Sequence, residues 1–320
     1  MVPPPPEPEL VDRFRRDLEA LTGTAPGKLG VAVSGGPDSL ALLLLAAAAF
    51  PGSVHAATVD HGLRPESAAE AVFVAGICAR LGVPHATLAA DSPVAGNLQS
   101  AARALRYRLL ARWAGEAELA RVLTAHHADD QAETLLMRLN RGAGLSGLAG
   151  IRATARIAGL AVVRPLLGWR RDDLAGIVGA AGLEPVSDPS NGDDRFDRVR
   201  LRKRLAQAEW LDPLPLSRSA EALAEAEAAL EWTVERLAGE RTDRAGEGLA
   251  FDPAGLPPEL RRRLVIRILA ALGAAEAPRG DAVQRLLAIL DSGGTATLAG
   301  VKCSGGPAWR FTPEPPRRAP

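Results

Sequence analysis

Residues 29–39 read Leu29-Gly30-Val31-Ala32-Val33-Ser34-Gly35-Gly36-Pro37-Asp38-Ser39. The first five form a short apolar run, the pattern of a strand covered on both faces of a parallel sheet. The next six turn directly into a leucine- and alanine-rich helix over 40–50, with Pro37 placed in its first turn. In an open parallel sheet ligands bind outside the carboxyl ends of the strands, so this turn lies where a binding loop belongs. Gly35 and Gly36 let the backbone approach a phosphate, and the following helix aims its first amides at it. Ser34 and Ser39 add hydroxyl donors. Asp38 fits beside a phosphate when a Mg²⁺ lies between them. The loop carries no lysine and is not the GxxxxGKS/T phosphate loop.

Working outward, strands over 53–59, 83–88, 121–124 and 161–164 alternate with helices over 68–81, 98–114 and 128–140. That alternation predicts an α/β fold, a doubly wound parallel sheet. Residues 1–9 hold five prolines and read as a flexible leader before a short amphipathic helix over 12–22. Beyond Asp212 the pattern changes to helices over 219–238, 259–272 and 281–290, with a small hairpin within 295–311. The expected organisation is a leader and first helix (1–20), a catalytic domain (21–211) and a smaller, mainly helical domain (212–320).

The length of 320 residues suits two domains, and 47% hydrophobic residues supply their cores. Two distant cysteines, Cys78 and Cys303, exclude a disulfide scaffold or a cysteine zinc ribbon and suggest a reducing, cytoplasmic setting. The longest apolar run, 40–50, is too short to span a bilayer. Formal net charge is zero, with 38 basic and 38 acidic residues, which at face value speaks against a nucleic-acid partner. The charge is uneven, however. Residues 1–100 carry 6 basic and 10 acidic side chains, residues 101–220 carry 19 and 14, and residues 221–320 carry 13 and 14. The middle of the chain is distinctly basic.

Three further segments carry candidate chemistry. Asp60 and His61, in Val59-Asp60-His61-Gly62-Leu63-Arg64, end the second strand on the same rim as the loop; a turn stabilised by Asp60 and Gly62 reads equally well. After the fourth strand comes Ala125-His126-His127-Ala128-Asp129-Asp130-Gln131-Ala132-Glu133-Thr134. Asp130 and Glu133, three apart, share a helix face; carboxylates in a first turn are also ordinary partners of the helix dipole. Adjacent histidines without HExxH spacing do not make a zinc site. Arg103 and Arg106 lie one turn apart on the third helix. Gly142-x-Gly144-x-x-Gly147 has the lettering of a dinucleotide fingerprint, but it follows a helix rather than a strand, so it reads as a mobile loop beside the site or as a surface linker.

In this order and spacing, these blocks resemble the tRNA(Ile)-lysidine synthetase family, part of the PP-loop (pyrophosphatase-loop) superfamily of ATP-dependent adenylating enzymes. The likeness continues through Arg141-Gly142, Arg164-Pro165-Leu166-Leu167 and Asp188-Pro189-Ser190-Asn191-Gly192-Asp193 to the basic run ending at Arg204, covering about 29–205. It implies a Rossmann-like PP-loop catalytic domain and ATP as a substrate held by Ser34, Gly35, Gly36, Pro37, Asp38, Ser39, Asp60 and His61. Mg²⁺ would be held through Asp38. It further implies free L-lysine bound and activated by Asp130 and Glu133, and Arg106 steadying charge during attack on the wobble cytidine of tRNA(Ile) with anticodon CAU. One departure stands out. Where the family reads Arg-Asn-x-x-Arg, this chain has Arg198-Val199-Arg200-Leu201-Arg202, which puts any role for that amide in doubt.

Arg195, Arg198, Arg200, Arg202, Lys203 and Arg204 set six basic residues against one acid, Asp197, within ten positions. Together with Arg141 they are the candidate tRNA contacts; a solvated charged helix is the plainer alternative. Arg261 to Arg263 form a weaker second patch. Two other functions stay open: another PP-loop tRNA-modifying enzyme such as a thiolase, against which the missing paired cysteines count, and a non-catalytic RNA-binding relative, which would not need carboxylates beside phosphates.

Overall fold

The computed structural model describes residues 2–23, 27–60, 66–89, 98–186, 194–195, 197–208, 210–274, 278 and 280–314. The chain divides into two compact units, Met1–Ala224 and Glu225–Pro320.

The first unit is built on a six-stranded sheet: β1 (Leu29–Ala32), β2 (Val54–Asp60), β3 (His85–Ala89), β4 (Arg121–Leu123), β5 (Thr154–Ile157) and β6 (Leu160–Val163), in the order β3-β2-β1-β4-β6-β5. All neighbours are parallel except the β5–β6 hairpin. The strand order reverses between β1 and β4. The switch-point crevice of the doubly wound sheet therefore lies between the ends of those two strands. Both of the strongest sequence motifs leave the sheet there.

Helices α1 (Pro8–Thr22), α2 (Pro37–Ala49), α3 (Glu66–Leu81), α4 (Leu98–Glu116), α5 (Ala128–Asn140), α6 (Leu145–Leu148), α7 (Arg171–Ala180) and α8 (Asp197–Leu205) complete this unit's elements up to α9 (Pro213–Arg241), which crosses into the second unit. Leu40, Leu42, Leu43, Leu44 and Leu45 cover every side of α2 and all are buried. A helix apolar all round needs cover on all sides, and α2 finds it against β1, β2, α1 and α7. On α4, Tyr107, Leu110 and Trp113 pack with Val122, Leu160 and Val162. The approach there is close: a Cβ on Gly30 would lie 2.9 Å from Val122 and 3.0 Å from Trp113, so only glycine fits.

One expectation is corrected at the N-terminal end. The flexible leader expected over 1–9 is partly ordered structure, since α1 already begins at Pro8 and Pro3 is buried. The helix is then locked by Trp169, whose indole N–H donates to Asp17 (2.8 Å) beneath the Arg13 guanidinium, 4.0 Å from the ring centre.

The second unit joins the end of α9 to α10 (Pro258–Ala271), α11 (Gly280–Asp291) and a five-stranded antiparallel sheet. Its strands are β7 (Thr242–Ala245), β8 (Gly248–Phe251), β9 (Thr295–Leu298), β10 (Val301–Ser304) and β11 (Trp309–Pro313), in the order β7-β8-β11-β10-β9. The expected terminal hairpin is present as β9–β10, extended on its other side by β11, β8 and β7. Phe251 and Trp309 meet edge to face at 5.7 Å in the core. The Arg261–Arg263 patch is neutralised within this unit. Arg261 pairs with Asp291 (2.6 Å), Arg262 with Glu259 (2.6 Å), and the buried Arg263 with Glu227 (2.6 Å), Glu231 (2.5 Å) and Glu259 (2.7 Å). Among the described residues, no helix is long and apolar enough to cross a membrane.

Candidate active site

The loop after β1 is closed on itself. Ser34 N–H donates to Ser39 Oγ (3.1 Å), whose hydroxyl donates to the Gly36 carbonyl (3.0 Å). Gly35 takes a φ of +83°, which L side chains rarely adopt, and its carbonyl accepts the Val186 N–H at 3.0 Å. Pro37 and Asp38 then open α2. These residues form one wall of a cleft of about 440 Å³, whose other walls include Thr58, Ser67, Glu70, Arg106, Thr124, His126, Asp130 and Arg198. The cleft thus brings together the loop, Arg106 and Asp130.

Asp38 presents one carboxylate oxygen to His127 and keeps the other, Oδ1, buried without a hydrogen-bond partner. A buried acceptor left open is costly and marks a place for a donor or cation. Among the described residues no three His, Cys, Asp or Glu converge on a metal position. A Mg²⁺ taking one carboxylate from the protein and its remaining ligands from phosphates and water fits this arrangement.

His127 is 1% exposed and stands among three carboxylates: Nε2 is 3.4 Å from Asp38 and 3.5 Å from Asp130, and Nδ1 is 3.4 Å from Asp129. Burial favours the neutral ring, but the contacts with Asp129 and Asp38 and the charge of Asp130 outweigh it and raise the pKa to about 9. His126 behaves oppositely: burial, then the positive charges of Arg164, Arg103, Arg198 and His127, push it down to about 3. One histidine is an internal cation and the other a neutral wall of the cleft.

The His127 shift has a measurable consequence. An unfolded histidine loses its proton near 6.5, the folded one near 9. Its contribution is therefore complete below pH 6.5 and drains away as pH rises to about 9, with a limit on the order of 3 kcal/mol. Denaturant titrations of the ligand-free protein should show stability falling through this window more steeply than in His127→Asn. Parallel curves would contradict the assignment.

Glu133 is 1% exposed, and both its oxygens are taken. Arg198 Nε donates to Oε2 (2.6 Å), Arg202 Nε to Oε1 (2.7 Å), and Arg171 reaches Oε1 at 3.2 Å. Arg202 and Arg198 hold its carboxyl below the usual range against the opposing effect of burial. Asp130 remains on the cleft wall, its Oδ1 accepting from Arg198 (3.0 Å) and its Oδ2 from the His127 N–H (3.2 Å). The structure thus holds both carboxylates against Arg198, as their shared helix face suggests, but leaves only Asp130 on the cleft wall.

The basic run divides likewise. Arg198 and Arg202 turn inward to Glu133. Arg200 bonds Asp197 and the Asp194 carbonyl, and Lys203 pairs with Asp194 at 2.7 Å. Arg141 pairs with Asp197 at 3.1 Å, tying the end of α5 to the start of α8. Arg195 and Arg204 are exposed, and Arg204 has no ion-pair partner among the described residues. Val199 is buried at 7% exposure. Asp60 ends β2 on the rim beside Val59, while His61 and the 188–193 motif lie outside the described residues.

The glycine-rich segment expected to be a mobile loop is stitched to α5. Gln131 exchanges two hydrogen bonds with Ile151 (2.8 and 2.6 Å), and Arg138 donates to the Gly147 and Gly150 carbonyls. Sequence reasoning missed His127 as a structural cation, and Arg171 and Glu70 altogether. The nearby Asp129 and Asp130 were the only local sign of the first.

The PP-loop domain family matches residues 10–209. A protein of Novosphingobium aromaticivorans named tRNA(Ile)-lysidine synthase is 50% identical over 96% of this chain and 94% of its own. The Zymomonas mobilis protein of the same name is 47% identical over 97% and 96%. Among solved structures, the U34-tRNA thiolase NcsA from Methanococcus maripaludis shares the fold, with 18% identity, a TM-score of 0.56, and coverage of 68% of this chain and 79% of that one.

Proposed function

The chain belongs to the tRNA(Ile)-lysidine synthase family of PP-loop proteins, and on that premise we propose that it ligates free L-lysine to the wobble cytidine of tRNA(Ile) with anticodon CAU, consuming ATP. The observation that carries the chemistry is Asp38, whose Oδ1 is buried without a hydrogen-bond partner at the start of α2, in a cleft lined also by Arg106 and Asp130.

In this reading the loop from Ser34 to Ser39 holds the ATP phosphates with its amides and hydroxyls. The cytidine C2 oxygen attacks the α-phosphorus; an oxygen–phosphorus bond forms and pyrophosphate leaves. Asp38 would hold the Mg²⁺ that supplies neutralising charge to that leaving group. The lysine ε-amine then attacks C2, AMP departs with the oxygen, and the amine loses its proton. Asp130, on the cleft wall, is the carboxylate placed to receive the ammonium. Glu133, 1% exposed and not part of the cleft lining, is a positioning residue that fixes Arg198 and Arg202. Arg106 faces the cleft without an ion-pair partner among the described residues, and desolvation lowers its pKa from the ordinary value. It is placed to steady charge on the departing AMP. Arg141, Arg200 and Lys203 would exchange weak surface ion pairs for tRNA phosphates, and the exposed Arg195 and Arg204 would add contacts of the same kind.

Sulfur transfer is disfavoured by the two cysteines. Cys78 and Cys303 are buried in different cores, and burial pushes their thiols up to about 12 and about 11. Multiple-turnover AMP formation with ATP and unmodified tRNA(Ile) transcript tests the proposal: it should require lysine. Equal turnover without lysine would point to a different nucleophile.

A further inference from the structure

We propose that Trp210 is a stacking platform for an unpaired base of the tRNA; this rests on the reading that the protein acts on tRNA. Trp210 is 82% exposed and Trp232, in the second unit, 64%, whereas Trp113, Trp169 and Trp309 are at most 7% exposed. It is the most exposed large apolar side chain among the described residues.

Backbone hydrogen bonds flank the indole on both sides. Ala208 N–H donates to the Leu205 carbonyl (3.0 Å) and Leu211 N–H to the Ala208 carbonyl (2.9 Å). Just beyond, Arg170 donates to both oxygens of Asp212 at 2.7 Å, and Asp212 also accepts the Leu214 N–H at 2.9 Å. An aromatic ring on fixed backbone loses little freedom when a base settles on it, which is what a stacking contact needs.

Charge identifies the occupant. Trp210 follows α8 by five residues, and that helix carries Arg200, Lys203 and Arg204, the last without an ion-pair partner among the described residues. A flat apolar face five residues beyond a helix rich in arginine matches a nucleic acid strand, whose phosphates and bases demand those two chemistries. A second copy of the chain is a poorer fit. One tryptophan buries at most about 250 Å², against roughly 1,000 Å² for a stable interface, and the other strongly exposed apolar side chains of this unit, Val2, Val72 and Leu139, lie on other elements.

The test compares wild type, Trp210→Ala and Trp210→Phe in filter binding of the tRNA(Ile) transcript across a salt series. Trp210→Ala should weaken binding by about 5- to 100-fold, the range of one lost base stack, and Trp210→Phe should restore most of the loss. The slope of log Kd against log salt should stay as in wild type for Trp210→Ala, because stacking releases no counterions, while Arg204→Ala lowers it by about one. Unchanged binding in Trp210→Ala would overturn the proposal. So would a wild-type dimer that becomes a monomer in Trp210→Ala on sedimentation, which would assign the indole to a second copy. If wild type transfers no lysine yet the stacking result holds, the functional reading fails alone; if lysine is transferred and Trp210→Ala binds normally, the stacking proposal fails alone.

Discussion

Asp38→Ala should reduce single-turnover AMP formation by about 10²–10³-fold or more, the cost of losing one preorganised charge at a site where charge develops. The side chain is 32% exposed and contributes one of three carboxylates around His127, so Asp129 and Asp130 still hold that ring and the fold survives the change. The loss therefore falls on chemistry. Asp38→Asn sharpens the point: it retains an oxygen where Oδ1 now lies buried and unpartnered, but not the negative charge. With this variant, the Mg²⁺ concentration giving half-maximal rate should rise. A rate within tenfold of wild type in Asp38→Ala, at unchanged Mg²⁺ demand in Asp38→Asn, would remove the metal assignment.

Glu133→Ala should be the most destabilising single substitution in the site. It removes the shared partner of Arg171, Arg198 and Arg202, which come from α7 and α8 and have no other common anchor. Breaking a fully buried pair costs about 3–5 kcal/mol. Here the three guanidiniums keep 29%, 41% and 32% exposure, so about 2–4 kcal/mol is expected after solvent screening. Glu133→Gln keeps the shape and one acceptor and should lie between. Because the folded carboxyl titrates below its ordinary value, its contribution is present above the unfolded pKa and is lost as pH falls through the folded one. Denaturant melts at neutral pH would measure the effect. A change below about 1 kcal/mol in Glu133→Ala would contradict the anchoring role assigned to this carboxylate.

Much of this arrangement was legible before the structure. The apolar run 29–33 and the glycine turn after it placed both the central strand and the phosphate loop, and 128–140 matches α5 residue for residue. These are local signals: a buried strand and its turn are written in consecutive residues. What stayed hidden is long-range. Glu133 and Asp130 look equivalent on one helix, and only side chains 38, 65 and 69 positions away decide that one is sequestered while the other faces the cleft. His127 looks like half of a histidine pair until Asp38, from another strand's loop, is set beside it. The β5 strand escaped because its outer edge position leaves its residues alternately half exposed. In the second unit, the patch at Arg261–Arg263 reads as basic in sequence, yet Glu227, Glu231, Glu259 and Asp291 cancel it in space. The net charge of zero likewise hides a basic middle segment: from Arg138 to Arg204 there are 13 basic and 7 acidic residues.

The most direct measurement is transfer of labelled lysine to tRNA. The protein is incubated with ATP, Mg²⁺, labelled L-lysine and unmodified tRNA(Ile) transcript bearing a CAU anticodon, and the RNA is digested to nucleosides. The account predicts label on the wobble cytidine alone, in a one-to-one ratio with AMP released, and an initial rate at least about 10²-fold lower when Asp38→Ala replaces wild type. Pyrophosphate release with this tRNA but no lysine on the anticodon nucleotide would contradict it.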